Sequence, residues 1–211
     1  SLEMVLIRKI LTHWTVAFLT LALLVFLRVQ DNGLVETARL KSFDYLQSTD
    51  PITVSDDIVI VEVDEASIEM NGQWPWSRDK IADLIWTLRE QGAGIIILPI
   101  LFAEEDRDNQ DMALAQALVQ NGVIIAQVGT TQTNKNAVPR GVAKIGDPIP
   151  WLFQWPGMLG PIELLGLNAD GVGVINIAPE IDGVVRRVPL IMTVGEETYP
   201  AMAIEMIRVA V

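Results

Sequence analysis

Residues 79–98 read DKIADLIWTLREQGAGIIIL, and two elements meet within them. Ile81, Leu84, Ile85 and Leu88 recur at three- and four-residue spacing, which places them on one stripe of a helix over Asp79–Gln91. Gly92 and Gly94 end that helix. Gly94–Leu98 then runs apolar and β-branched, too short for a second helix and suited to a strand buried on both faces. The alternation continues in both directions. Before the helix, Ile58–Val63 (IVIVEV) reads as a strand and, being largely apolar, as a central one. After it, Asp108–Gln120 reads as a helix capped by Asp108 or Asn109 and stopped at Asn121-Gly122, and Val123–Val128 reads as a third strand. A β-α-β-α-β order needs crossover connections, hence a parallel sheet with helices on its faces. The expected class is α/β, a central mixed, partly parallel sheet flanked by helices and preceded by one N-terminal transmembrane helix.

The second half has a different texture. Thr130–Asn136 is a polar loop, and Pro148–Pro161 is rich in proline and tryptophan with no regular period. Val172–Ile177 and Val184–Val194 read as strands separated by a turn at Asp182-Gly183, and Tyr199–Val211 as a last helix. The sequence stops inside that helix without a cap, so the natural protein is expected to continue past Val211. Asp31–Ser48 has helical spacing, and Asp50-Pro51 breaks it.

The expected membrane helix is Ile10–Leu27, ILTHWTVAFLTLALLVFL, a run of 18 residues without a charge. As a helix it measures about 27 Å at roughly 1.5 Å per residue, close to the hydrocarbon thickness of a bilayer. It is longer than the apolar region of a signal peptide, and no small-residue cleavage site follows it. It is also apolar all the way round, which suits lipid better than one face of a core. Arg8 and Lys9 precede it and Arg28 follows, so the basic bias places the start in the cytoplasm and the remainder outside. Ser1-Leu2-Glu3 ahead of Met4 has the look of a cloning remnant. The expected organisation is therefore residues 1–3 as remnant, 4–30 as cytoplasmic end and membrane helix, and 31–211 as one extracytoplasmic domain.

The chain carries −12 overall; its first 30 residues hold Glu3, Arg8, Lys9 and Arg28, which leaves −14 on the rest. So acidic a domain is unsuited to nucleic acid, whose phosphates need clustered lysine and arginine. There is no cysteine, which excludes disulfides, thiolate metal sites and cysteine nucleophiles. The one histidine, His13, lies in the apolar run, which removes histidine base catalysis and histidine metal ligation from the outer domain. Only carboxylate chemistry remains, and neither a cofactor nor enzyme activity is expected of this segment.

Several blocks resemble the type-two CHASE domain, a sensory domain associated with cyclases and histidine kinases outside the bacterial membrane. Asp44-Tyr45-Leu46 resembles its entry helix, and Ile58–Ile68 (IVIVEVDEASI) its first strand and the acidic turn after it. Trp74-Pro75-Trp76-Ser77-Arg78 resembles its W-P-W-x-R segment, and Ile97–Phe102 (ILPILF) a strand end that usually reads F-D-I-L-F. Gly173–Leu190 resembles its late hairpin, and Tyr199-Pro200-Ala201 the start of its final helix. The blocks keep the family's order from about Asp44 to Val211, with one departure: Pro99 stands where the pattern usually has aspartate. The resemblance implies a sensory input domain with an unknown small-molecule or protein signal, a homodimer, and further membrane helices leading to a cyclase or kinase output module.

Five residues are the candidate ligand-binding set: Asp64, Ser67, Trp74, Trp76 and Arg78. Asp64, Glu65 and Ser67 follow a strand, where open α/β sheets bind ligands; the competing reading is that Asp64 or Ser67 caps the next turn. Pro75 fixes the backbone between two large rings, and Arg78 opens a helix against its dipole, which calls for a carboxylate partner. Asp64 is the expected partner, from the shared sheet edge. An aromatic and guanidinium pocket for an anion and an aromatic plug tied down by one ion pair both fit this segment. Glu104, Glu105, Asp106, Asp108 and Asp111 form an acidic run, but Asp111 and Ala117 stand where a calcium loop needs glycine and glutamate, so a solvated lead into a helix is expected and no metal. Trp151, Phe153 and Trp155 alternate as a lid, a dimer contact, an interfacial anchor or plain core.

Overall fold

The computed structural model describes residues 13–29, 33–49, 55–132, 134–141 and 145–211. The chain divides into two compact units, Ser1–Ile60 with Glu180–Val184, and Val61–Pro179 with Val185–Val211.

The first unit contains two helices, α1 (Trp14–Val29) and α2 (Gly33–Thr49). His13 starts α1: its carbonyl accepts from Val16 N at 3.0 Å, and its ring Nδ1 lies 2.7 Å from Thr15 Oγ1. Many apolar side chains of α1, among them Trp14, Phe18, Leu19 and Phe26, are exposed. At 16 residues α1 is about 24 Å long. Among the described residues no helix is long and apolar enough to cross a membrane. Residues 10–12, the start of the expected span, lie outside the described residues, as do residues 50–54 with the expected break at Asp50-Pro51.

The second unit contains the sheets. Its elements are α3 (Glu65–Asn71), α4 (Arg78–Glu90), β1 (Ile96–Leu98), α5 (Asp111–Leu118), β2 (Val123–Thr130), a 3-10 turn over Ile149–Trp151, β3 (Phe153–Gln154), β4 (Gly157–Leu159), α6 (Glu163–Asn168), β5 (Gly171–Val174), β6 (Ile191–Val194), β7 (Glu197–Pro200) and α7 (Met202–Ala210). β2 is the spine of the main sheet. β1 pairs with it in parallel (Ile96↔Val123, Leu98↔Ile125), and so does β5 (Ile124↔Gly171, Gln127↔Val174). β4 pairs with its far end in antiparallel register (Val128↔Leu159, Thr130↔Gly157). A smaller sheet has the order β3-β6-β7.

Strand alternation decides what covers each face. Val123, Ile125, Val172, Ile96 and Leu98 are buried in one cluster with Ile81, Ala82 and Ile85 of α4, Leu114, Ala115, Ala117 and Leu118 of α5, and Leu165 of α6. On the other face α7 lies against β5, where the strand offers only glycine. A Cβ on Gly173 would stand 2.4 Å from Met202 Cα, and one on Gly171 would touch Ile124. The second cluster, Met158, Val174, Met192 and Tyr199, joins the small sheet to the large one, with Trp155 packed against it.

The expected helices and most strands are present, with shifted ends. Two strands differ. Ile58–Val63 forms no strand and pairs with none among the described residues, and its side chains are exposed, so it is neither central nor buried. Its apolar, β-branched content reports a segment that suits a half-buried pleated surface, and the neighbour that makes such a surface is a tertiary matter. Val184–Val194 is a strand only from Ile191. Pro189 has no N–H to give a ladder. The last helix, expected from Tyr199, begins at Met202, and residues 197–200 form β7, closing a hairpin with β6 through Gly195.

Candidate functional site

In parallel α/β sheets the loops beyond the carboxyl ends of strands gather polar groups. Beyond β1 the chain runs through Pro99 and Phe102 to the acidic stretch before α5. Phe102 is buried, and the Arg78 guanidinium lies over its ring, 4.4 Å from Cζ to the ring centroid. Arg78 Nε donates to Asp111 Oδ1 at 3.2 Å, and its Nη2 donates to the Glu104 carbonyl at 3.1 Å. The two side chains of this ion pair are only 16% and 13% exposed. Asp111 Oδ2 also accepts from Asp106 N at 2.8 Å, and Asp106 Oδ2 accepts from Gln110 N at 3.2 Å. The acidic run therefore folds back on its own backbone. Asp111 stands in the first turn of α5, where a negative charge is favoured. Among the described residues no group of acidic or histidine side chains is arranged to hold a metal ion.

The expected Arg78–Asp64 pair is thus corrected: the carboxylate is Asp111. Asp64 is engaged elsewhere, as the N-cap of α3. Its Oδ1 accepts from Ser67 N at 2.8 Å and from Ser67 Oγ at 2.6 Å. The Ser67 hydroxyl first, and its backbone N–H second, hold the Asp64 carboxyl below its ordinary 3.8. Asp79 is lowered in the same manner by the Ser77 hydroxyl at the start of α4. Trp74 and Trp76 meet edge to face, with centroids 5.6 Å apart and planes at 64°. Trp76 packs against the main core and donates its Nε1 to the Gly72 carbonyl at 2.8 Å, while the Trp74 ring stays exposed. Trp76 and Arg78 meet the core and the loop beyond β1; Asp64 and Ser67 pair with each other.

Phe102 and Asp111 are absent from the candidate set, and so is Glu205. Asp111 carried a signal, an acidic residue opening a helix. Glu205 carried one too, a carboxylate in the apolar stripe of the last helix. It is 1% exposed and held by Arg208 at 2.8 Å and by Arg140 at 3.7 Å. Arg208 also reaches the Asp170 carbonyl at the start of β5. Tyr199, six residues earlier, is buried too. Burial first, then its bond to Glu197 at 2.7 Å, pushes its phenol well above the ordinary value of 10. An open cleft of about 420 Å³ lies at the other sheet, lined by Gly146, Asp147, Pro148, Ile149, Pro150, Gln154 and Glu196; none of the five candidates lines it.

Among known families, the CHASE2 domain matches residues 17–211. The chain belongs to the CHASE2 family. CHASE2 domains are extracellular sensory domains of signalling proteins, and the family is sensory rather than catalytic. Neither curated proteins nor solved structures give a match to this CHASE2 domain. The position where the family pattern usually has aspartate is occupied here by Pro99, exposed just past β1. The loop beyond β1 is instead fixed from outside, by Arg78 on Phe102 and Asp111.

Proposed function

We propose that this CHASE2 domain is the extracytoplasmic input module of a bacterial membrane signalling protein, held on the periplasmic side by a helix formed from Ile10–Leu27. The observation that carries the reading is the family match over nearly the whole chain, in a segment that begins with a charge-free apolar run. The module works as a homodimer and passes its signal through α2 and α7 to a cyclase or kinase. A signal does this only by favouring one of two arrangements unequally. Trp74, with Trp76 beneath it, is the surface for the ligand, and Asp64, Ser67 and Arg78 hold that surface in place. Because the chain has no cysteine, one introduced thiol reports location. Trp151→Cys, at an exposed position, reacts with a membrane-impermeant maleimide in intact spheroplasts, and the protein stays with membranes after alkaline carbonate washing. Labelling only after lysis, or release by carbonate, overturns the reading.

A second reading is a ligand-free module that sets the geometry of a membrane complex. It is favoured by the exposed run Ile58–Val63, which offers apolar surface to another protein rather than to a small molecule.

A further inference from the structure

Glu205 is the one residue of α7 that is fully buried. The apolar residues around it, Met202, Ile204, Met206 and Val209, are only half-buried, and Ile207 is exposed. The docking of α7 therefore depends less on apolar burial than on what a buried carboxylate finds there. That carboxylate lies on Gly171 of β5, where a Cβ would stand 3.0 Å from Glu205 Oε2. Two cations face it, and they belong to different parts of the fold. Arg208, three residues on, donates to both of its oxygens, Nε to Oε1 at 3.0 Å and Nη2 to Oε2 at 2.8 Å, and moves with the helix. Arg140 comes from the segment between β2 and β3. Its Nε stands 3.7 Å from Oε2, and that nitrogen is buried with no hydrogen-bond partner among the described residues.

The main chain around Arg140 is fixed to the sheets. The Gln127 side chain, fully buried on β2, accepts from Val138 N at 3.1 Å and donates to the Val138 carbonyl at 3.2 Å. Arg140 N donates to the Thr198 carbonyl at 2.9 Å, and Thr198 Oγ1 donates to the Arg140 carbonyl at 2.6 Å. One cation is thus tied to β2 and β7, and the other to α7. We propose that α7 lifts from β5 as a unit, taking Glu205 and Arg208 away together, and that Arg140 is the catch that holds the docked state. Lifting leaves no negative charge stranded, because the carboxylate departs with its own arginine and regains water. It gives up little, because buried charges recover in mutual attraction about what they lose in hydration. Elements held in this way lie at the low-stability end of a fold, from which moving parts are drawn. The inference rests on the reading above only for its purpose, that α7 carries the signal onward; undocking itself is measured whether or not a signal follows.

The test is amide hydrogen exchange, followed by mass spectrometry on the full 211-residue chain in detergent. In the wild type the α7 amides are expected to exchange at least about a hundred-fold faster than those of β2, and more slowly than in an unfolded peptide. Arg140→Met keeps the aliphatic stem and removes the charge. It is expected to speed exchange in α7 at least about ten-fold and to leave β2 unchanged. The triple variant Arg140→Met, Glu205→Leu, Arg208→Met exchanges the charges for apolar groups, and α7 is expected to slow at least about ten-fold relative to Arg140→Met alone. The proposal falls if α7 exchanges only together with β2, since it then never lifts by itself. It also falls if wild-type α7 exchanges at the peptide rate, since no docked state is then held. An Arg140→Met chain with unchanged α7, or with β2 accelerated equally, overturns the catch, and so does a triple variant that slows nothing. None of these results bears on which side of the membrane the domain lies, which the maleimide labelling decides.

Discussion

Removing the Arg78 side chain takes away three contacts at once: the ion pair with Asp111, the bond to the Glu104 carbonyl and the stacking on Phe102. Arg78→Ala is expected to destabilise the second unit by about 2–3 kcal/mol, since it leaves a part-buried carboxylate without its cation. Urea denaturation followed by tryptophan fluorescence measures this. Arg78→Lys recovers less than half of the loss, because an ammonium does not lie flat on a ring while reaching two acceptors. A double-mutant cycle with Asp111→Asn gives a coupling of about 1–2 kcal/mol, and a coupling near zero removes the pair from the account. The need for a carboxylate near Arg78 was legible in the sequence, because a cation at a helix start requires one. Its identity was not. Asp64 was close along the chain, whereas Asp111 is brought near only by folding across 33 positions. What was local could be read: Asp64 and Ser67 are three apart, and their pairing is a cap.

The elements were legible where burial itself defines them. β1, β2 and β5 are short apolar runs between turn signals, and the stripe of α4 predicts the face it buries. β7 was missed because Glu197–Pro200 carries no apolar alternation and sits directly before a helix. Ile58–Val63 was misplaced because apolarity reports a demand for cover without naming what supplies it. The seat of α7 on β5 was also hidden, although its cause is in plain view: GVGV puts hydrogen atoms where other strands put side chains. Gly173→Ala forces a methyl into the Met202 backbone at 2.4 Å. The expected cost is about 2–4 kcal/mol, at the high end for overpacking, because backbone gives way less than a side chain. It is read as a lower urea midpoint together with increased protease cutting at Arg208. An unchanged midpoint refutes the close seat of α7.

At the scale of the whole molecule the dominant quantity is charge. Residues after position 30 carry a net −14, a figure that already sets Arg78 and Arg208 against their acidic partners. Such a chain repels itself, and the repulsion reaches about 30 Å at 0.01 M salt but only about 8 Å at 0.15 M. Raising sodium chloride from 10 to 200 mM is expected to raise Tm by about 2–5 °C, measured by differential scanning fluorimetry. A Tm that falls over this range shows instead that attractive pairs dominate.

The bare contact between Gly173 and Met202 has a mechanical meaning. Elsewhere a helix rides on side chains that hop between rotamers and soak up small displacements. Here nothing cushions the joint, since two main chains touch. A displacement of the final helix at this point therefore bears directly on the backbone of β5 and, through its ladder, on β2.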